Sequence, residues 1–209
     1  MQFVYIDTVG LSGNSDVHDP ETHELLQELN GSELPGPEDA GLADAQMEWL
    51  EHTLATSTAQ YLVVAGHYPI YSICEHGPTS GLVERVKPLL EQYKVTAYLN
   101  GHDHCMQHLV TANQEGQAVR DGVDYHTVGS AAINDPSEAH KDVEVGGVSQ
   151  TKSLKFHSPG KRGGFATVTA TRQGLSLTHY DGDGSVLYTA PPHRPRDAAY
   201  LEAVAAPGL

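Results

Sequence analysis

Two short glycine-flanked histidine motifs stand out in the chain, Gly66-His67-Tyr68-Pro69 and Gly101-His102-Asp103-His104. Neutral imidazole is the commonest side-chain ligand for transition metals, and glycine lets the backbone bend where ligands must converge. His102 and His104 are two residues apart, so on an irregular loop they can reach two adjacent metal ions. Asp103, between them, could instead orient a ligand from behind. With 13 histidines in the chain a lone Gly-His pair carries little weight, so the case rests on where the two motifs fall.

Each follows an apolar strand. Tyr61-Leu-Val-Val-Ala65 precedes the first motif and Val95 to Leu99 the second, with a helix from Thr79 to Tyr93 between them through Leu82, Val86, Leu89 and Leu90. The order is βαβ, and uninterrupted apolar strands joined by helices imply a parallel sheet covered on both faces, with function in the loops at the strands' C-terminal ends. Neighbouring strands lie about 4.8 Å apart, so the two loops can bring three imidazoles around metal.

Further elements frame this unit. Phe3 to Asp7 reads as a buried strand, and residues 44–57 as an amphipathic helix with Asp44 as N-cap and Met47, Leu50 and Leu54 on one face. From Gly10 to Gly41 the chain is loop, apart from a helical turn at Glu24 to Leu29. After Gly101, short strands near 106–112, 124–128, 164–171, 174–180 and 185–190 read as antiparallel hairpins, broken by turns such as Asp181-Gly-Asp-Gly184. Residues 134–164 are polar and Gly-rich, and the residues from Pro191 read as a loose tail. The outlying His126, His140, His157 and His179 have no partner spacing and read as surface or core residues.

Composition narrows the class. Twelve Lys and Arg against 27 Asp and Glu give a net charge of −15, a field that repels phosphate backbones and argues against nucleic acid as a partner. The apolar runs fall far short of the ~20 residues of a membrane span. The first residues, Met-Gln-Phe-Val-Tyr-Ile-Asp, lack the basic and apolar regions of a signal peptide and look like a strand entered directly. Cys74 and Cys105 permit at most one bridge, and buried free thiols are the expectation.

The stretch Val64-Ala-Gly-His-Tyr-Pro-Ile-Tyr-Ser-Ile-Cys-Glu-His-Gly-Pro-Thr79, followed by Val95-Thr-Ala-Tyr-Leu-Asn-Gly-His-Asp-His104, resembles the mammalian-type purple, or tartrate-resistant, acid phosphatases of the calcineurin-like metallophosphoesterase group. Asp7-Thr-Val-Gly-Leu-Ser-Gly-Asn-Ser-Asp16 is similar to the same family. The resemblance implies an α/β fold, part of a four-layer αββα sandwich over residues 1–190. It implies a dinuclear centre of Fe(III) with Fe(II), Zn or Mn, and a phosphomonoester substrate attacked by metal-bound hydroxide. By motif match His67 and His102 would bind the divalent metal and His104 the Fe(III). His76, in Glu75-His76-Gly77, would help bind the phosphoryl group and protonate the leaving alcohol, whereas Asn100 is strand-end packing. The acidic loop 17–41 matches a repression loop that a processing protease clips, and secreted or lysosomal residence is implied.

The departures from the family are as informative. The earlier ligand motifs Gly-Asp-x-x, Gly-Asp-x-x-Tyr and Gly-Asn-His-Asp/Glu are absent, so the chain looks like the C-terminal half to two-thirds of the enzyme, with an exposed strand edge. The family disulfide would join positions matching Ser12 and Gly81, both without cysteine. Two rivals stay open: another calcineurin-like phosphoesterase such as a phosphodiesterase, and a non-catalytic truncated scaffold.

Overall fold

A computed structural model of the chain describes residues 1–160 and 163–206. The chain runs β1 (Gln2–Tyr5), α1 (Thr8–Ser12), β2 (Asp16–His18), β3 (Leu25–Glu28), α2 (Ala40–Ala55), β4 (Leu62–Ala65), α3 (Ser80–Gln92), β5 (Ala97–Asn100), β6 (Met106–Val110) and β7 (Asp124–Val128). It continues with β8 (Glu144–Val145), β9 (Val148–Ser149), α4 (Gln150–Ser153), β10 (Leu154–Ser158), β11 (Gly164–Ala170), β12 (Leu175–Asp181), β13 (Val186–Thr189) and α5 (Ala198–Ala205).

Six strands form the main sheet in the order β1-β4-β5-β7-β6-β10. The first four are parallel, and β6 and β10 run against their neighbours. Strand alternation explains the continuous apolar runs. Leu62, Val64 and Tyr98 face a core shared with Leu50, Leu54, Leu82, Val86 and Leu90 of α2 and α3. Tyr61, Val63 and Ala97, on the other face, meet Leu175 and Leu177 of the three-stranded sheet β11-β12-β13. A strand buried on both faces has no polar alternate positions. The result is helix, sheet, sheet: a mixed α/β sandwich with a parallel core and antiparallel hairpins.

Several local expectations need correction. Helix α2 starts at Ala40, capped by the Asp39 side chain accepting from Leu42 N, so Asp44 lies inside the helix. Residues 25–28 are a strand paired with β2 rather than a helical turn. Strands β6 and β7 join the main sheet, and β10, in the polar, Gly-rich segment 134–164, extends it. The segment from Pro191 is anchored. His193 pairs with Leu175, and Arg196 donates from its guanidinium to Ser57 O at 2.6 Å and from its backbone N to Gln60 O at 2.8 Å. Asp197 then caps α5 by accepting from Ala199 N and Tyr200 N. Residues 207–209 of the expected tail lie outside the described residues. Among the described residues no strand pairs with the outer edge of β1, where Phe3 and Tyr5 stack, exposed.

Candidate metal centre

The loops after β4 and β5 meet. Gly66 N donates to Leu99 O and Gly101 N to His67 O, which ties the two motifs backbone to backbone. Thr8, at the start of α1, accepts from His67 N and Tyr68 N through its hydroxyl, and Tyr98 donates its hydroxyl to Tyr68 O at 2.7 Å. Gly66 is demanded by this crowding, since a Cβ there would stand 2.5 Å from the Thr8 methyl and 2.8 Å from the Tyr98 hydroxyl. His102 adopts φ +61, a left-handed conformation uncommon outside glycine, so the surrounding contacts hold its ring where it is.

His67, His102 and His104 line one cleft of about 430 Å³ together with Asp16, Glu28 and Tyr68. The His67 and His102 ring centroids are 5.0 Å apart, and the His76 ring lies 4.5 Å from that of His102. The four histidines named from sequence are therefore neighbours. His76 is buried, its Nε2 stands 3.6 Å from Glu28 Oε1, and its Nδ1 has no hydrogen-bond partner among the described residues. Glu28, His76 and His102 each offer a donor atom within 4.8 Å of the others. Burial first, then the neighbouring imidazoles, lowers the pKa of His102 to about 3. Burial also lowers that of His67, against the pull of Asp16. Neutral rings facing one cleft beside carboxylates are a donor set that fits transition cations.

Asp103 works from underneath. It is fully buried, accepts from the His76 backbone N at 2.8 Å, and receives the Ser72 hydroxyl on its other oxygen. Burial raises its pKa against those hydrogen bonds. Gln107 continues the support by donating to Ser72 Oγ and Thr127 Oγ1 while accepting from Ile73 N. Gln150 donates to Ser72 O, and His140 Nδ1 meets Cys74 O at 2.7 Å. Gly129 passes so close beneath that a Cβ would meet Asp103 O at 1.9 Å. Asn100 is buried, and among the described residues neither of its amide atoms has a hydrogen-bond partner.

Cys74 and Cys105 form a disulfide, contrary to the expectation of free thiols. The reason is spatial. Asp103 draws the Ser72–His76 segment onto the His102 loop, which sets two residues 31 apart in sequence side by side. The bridge thus joins the His76 loop to the His102-Asp103-His104 loop. Sequence reading assigned no site role to Asp16 or Glu28, which line the cleft, Glu28 from residues expected to form a helical turn but paired as a strand. It also missed Glu75, whose carboxyl pKa is raised first by a hydrogen bond to Asp135.

Residues 3–106 match the family model of the calcineurin-like phosphoesterases. The chain belongs to that family. Within it, the chain is 40% identical over 194 residues to tartrate-resistant acid phosphatase type 5 of Rattus norvegicus, covering 91% of this chain and 52% of the relative. It is 38% identical to the Homo sapiens protein of that name over the same shares. Purple acid phosphatase 4 of Arabidopsis thaliana is 36% identical over 141 residues, 66% of this chain and 36% of that one. The chain spans about half the length of the type 5 relatives. Among solved structures, "GAP50 the anchor in the inner membrane complex of Plasmodium" superposes with TM-score 0.67 at 19% identity, over 98% of this chain and 55% of that one. A purple acid phosphatase from yellow lupin seeds gives 0.52 at 19% identity, over 78% and 31%. These two likenesses establish the fold. No helix among the described residues is long and apolar enough to cross a membrane.

Proposed function

We propose that this chain carries the histidine-bearing part of a phosphomonoesterase active at acidic pH. The observation that carries the reading is the convergence of His67, His102 and His104 on one cleft with His76 packed on His102, in a chain related to acid phosphatases. His67 and His102 would hold a divalent ion, Fe(II), Zn or Mn, and His104 an Fe(III). Such a pair, when bound, would neutralise charge developing on the phosphoryl oxygens and lower the pKa of water so that hydroxide is available to attack phosphorus. His76 binds a phosphoryl oxygen and hands a proton to the departing alcohol oxygen. Asp103 keeps His76 aimed by holding its backbone N.

The reading extends to the covering loop. Within residues 17–41, Glu28 at the end of β3 reaches His76, so the hairpin β2/β3 stands at the cleft as a repressing element that proteolysis would release. The Cys74–Cys105 disulfide supports a secretory or lysosomal setting, where such bonds persist. The domain is taken as residues 1–190. Hydrolysis of nitrophenyl phosphate and of its bis ester by the iron- and zinc-loaded chain is the test. Faster turnover of the monoester, lost in His104→Ala, supports the proposal. Preference for the bis ester replaces it with a phosphodiesterase, and no metal-dependent turnover favours a binding scaffold.

A further inference from the structure

A second histidine cluster lies between the two sheets. His108 on β6 and His126 on β7 are direct cross-strand partners, their rings stacked 4.1 Å apart. Both are buried, as is His179 of β12, which reaches in from the second sheet. Asp124, two residues before His126, points to the same face of the sheet. Register sets Asp124 beside Ala97 and Thr127 beside Asn100, so Asp124 sits towards the end of the sheet away from the His102 loop.

The ring nitrogens divide cleanly. His108 Nδ1 meets the Tyr188 hydroxyl at 3.1 Å, and His126 Nδ1 meets His179 Nε2 at 3.1 Å. The Nε2 atoms of His108 and His126 are buried with no hydrogen-bond partner among the described residues. His108 Nε2 stands 3.5 Å from Asp124 Oδ1, and each of His108, Asp124 and His126 offers a donor atom within 4.8 Å of the others. Around a tetrahedral zinc, with ligands at about 2.1 Å, donor atoms sit about 3.4 Å apart. An imidazole that ligates a metal ordinarily gives its other ring N–H to a fixed partner, the place Tyr188 and His179 occupy here.

We infer that His108, Asp124 and His126 form a second metal site, separate from the cleft of His67, His102 and His104, for a divalent transition cation of the zinc type. Two imidazole nitrogens and one carboxylate leave a fourth position open, the donor count of a zinc site that keeps an exchangeable ligand. Access exists, since His108, Asp124 and Tyr188 line a cleft of about 540 Å³ that opens to solvent. His179 is a positioning residue, acting through His126.

The test is zinc retention by the full chain after dialysis, read by elemental analysis, in a His102→Ala/His104→Ala background that silences the first cleft. One zinc per chain is the expected result. Its loss in His108→Gln and, separately, in Asp124→Asn supports the site, and His179→Phe should weaken zinc binding roughly 10–100-fold. Asp124 is at the start of a strand and only partly buried, so Asp124→Asn keeps the fold if His108→Gln does not, which circular dichroism checks. No zinc retained in the background variant, or zinc retained equally with Asp124→Asn, overturns the inference and leaves a hydrogen-bonded histidine cluster.

Discussion

The two histidine clusters are built by different means. The cleft cluster comes from loops at the C-terminal ends of β4 and β5, where each ligand motif abuts a strand end and is flanked by glycine. The sheet cluster comes from register, with His108 opposite His126 and His179 arriving from another sheet. A loop cluster can move with its loops, and here hydrogen bonds to Asp103 and a disulfide restrain it. A sheet cluster is held by the ladder itself. Loop histidines suit chemistry that must admit and release a substrate, whereas sheet histidines suit an ion that stays.

That contrast can be broken at several points. The largest effect is expected from His104→Ala, which should lower kcat/KM for nitrophenyl phosphate by about 1000-fold, equivalent to about 4 kcal/mol of transition-state stabilisation. Metal retention at His108 and His126 should survive that change. The Cys74→Ala/Cys105→Ala pair should cost about 3 kcal/mol in urea unfolding, because the bridge closes a loop between residues 31 apart. Asp103→Asn removes the charged acceptor of the His76 backbone N, and kcat should fall roughly 100-fold through a misplaced His76. Metal content and the pH at which zinc leaves should stay as in the parent, which separates aiming from ligation.

A smaller effect sharpens the electrostatics. Folding lowers the pKa of His102 to about 3 and of His179 to about 4, against 6.5 for a free imidazole. The unfolded chain therefore binds protons that the folded chain refuses. The stability of keeping these rings neutral is fully present above pH 6.5 and is lost as pH falls from 6.5 through 4 to about 3. The melting temperature of the metal-free chain should decline over that window. A flat profile there would mean that these rings are solvated.

The βαβ core was legible because its strands are buried on both faces and its helices on one, so their periods differ plainly between Tyr61 and Leu99. The cleft histidines were legible because each motif abuts a strand end. What escaped depends on partners distant in sequence. Asp39 rather than Asp44 caps α2, since either acid could cap and only the packed helix decides. Cys74 and Cys105 pair because Asp103 gathers their loops. Glu28 enters the cleft only once β3 folds against β2. His126 and His179 carried no local spacing at all, and the neighbour that gives them meaning is His108 across a strand pair.

Anomalous diffraction at the zinc edge, from crystals of the zinc-loaded chain, tests the two-cluster account most directly. The account predicts anomalous density among His67, His102 and His104 and a separate peak between His108, Asp124 and His126. A map without density among His67, His102 and His104 would contradict it.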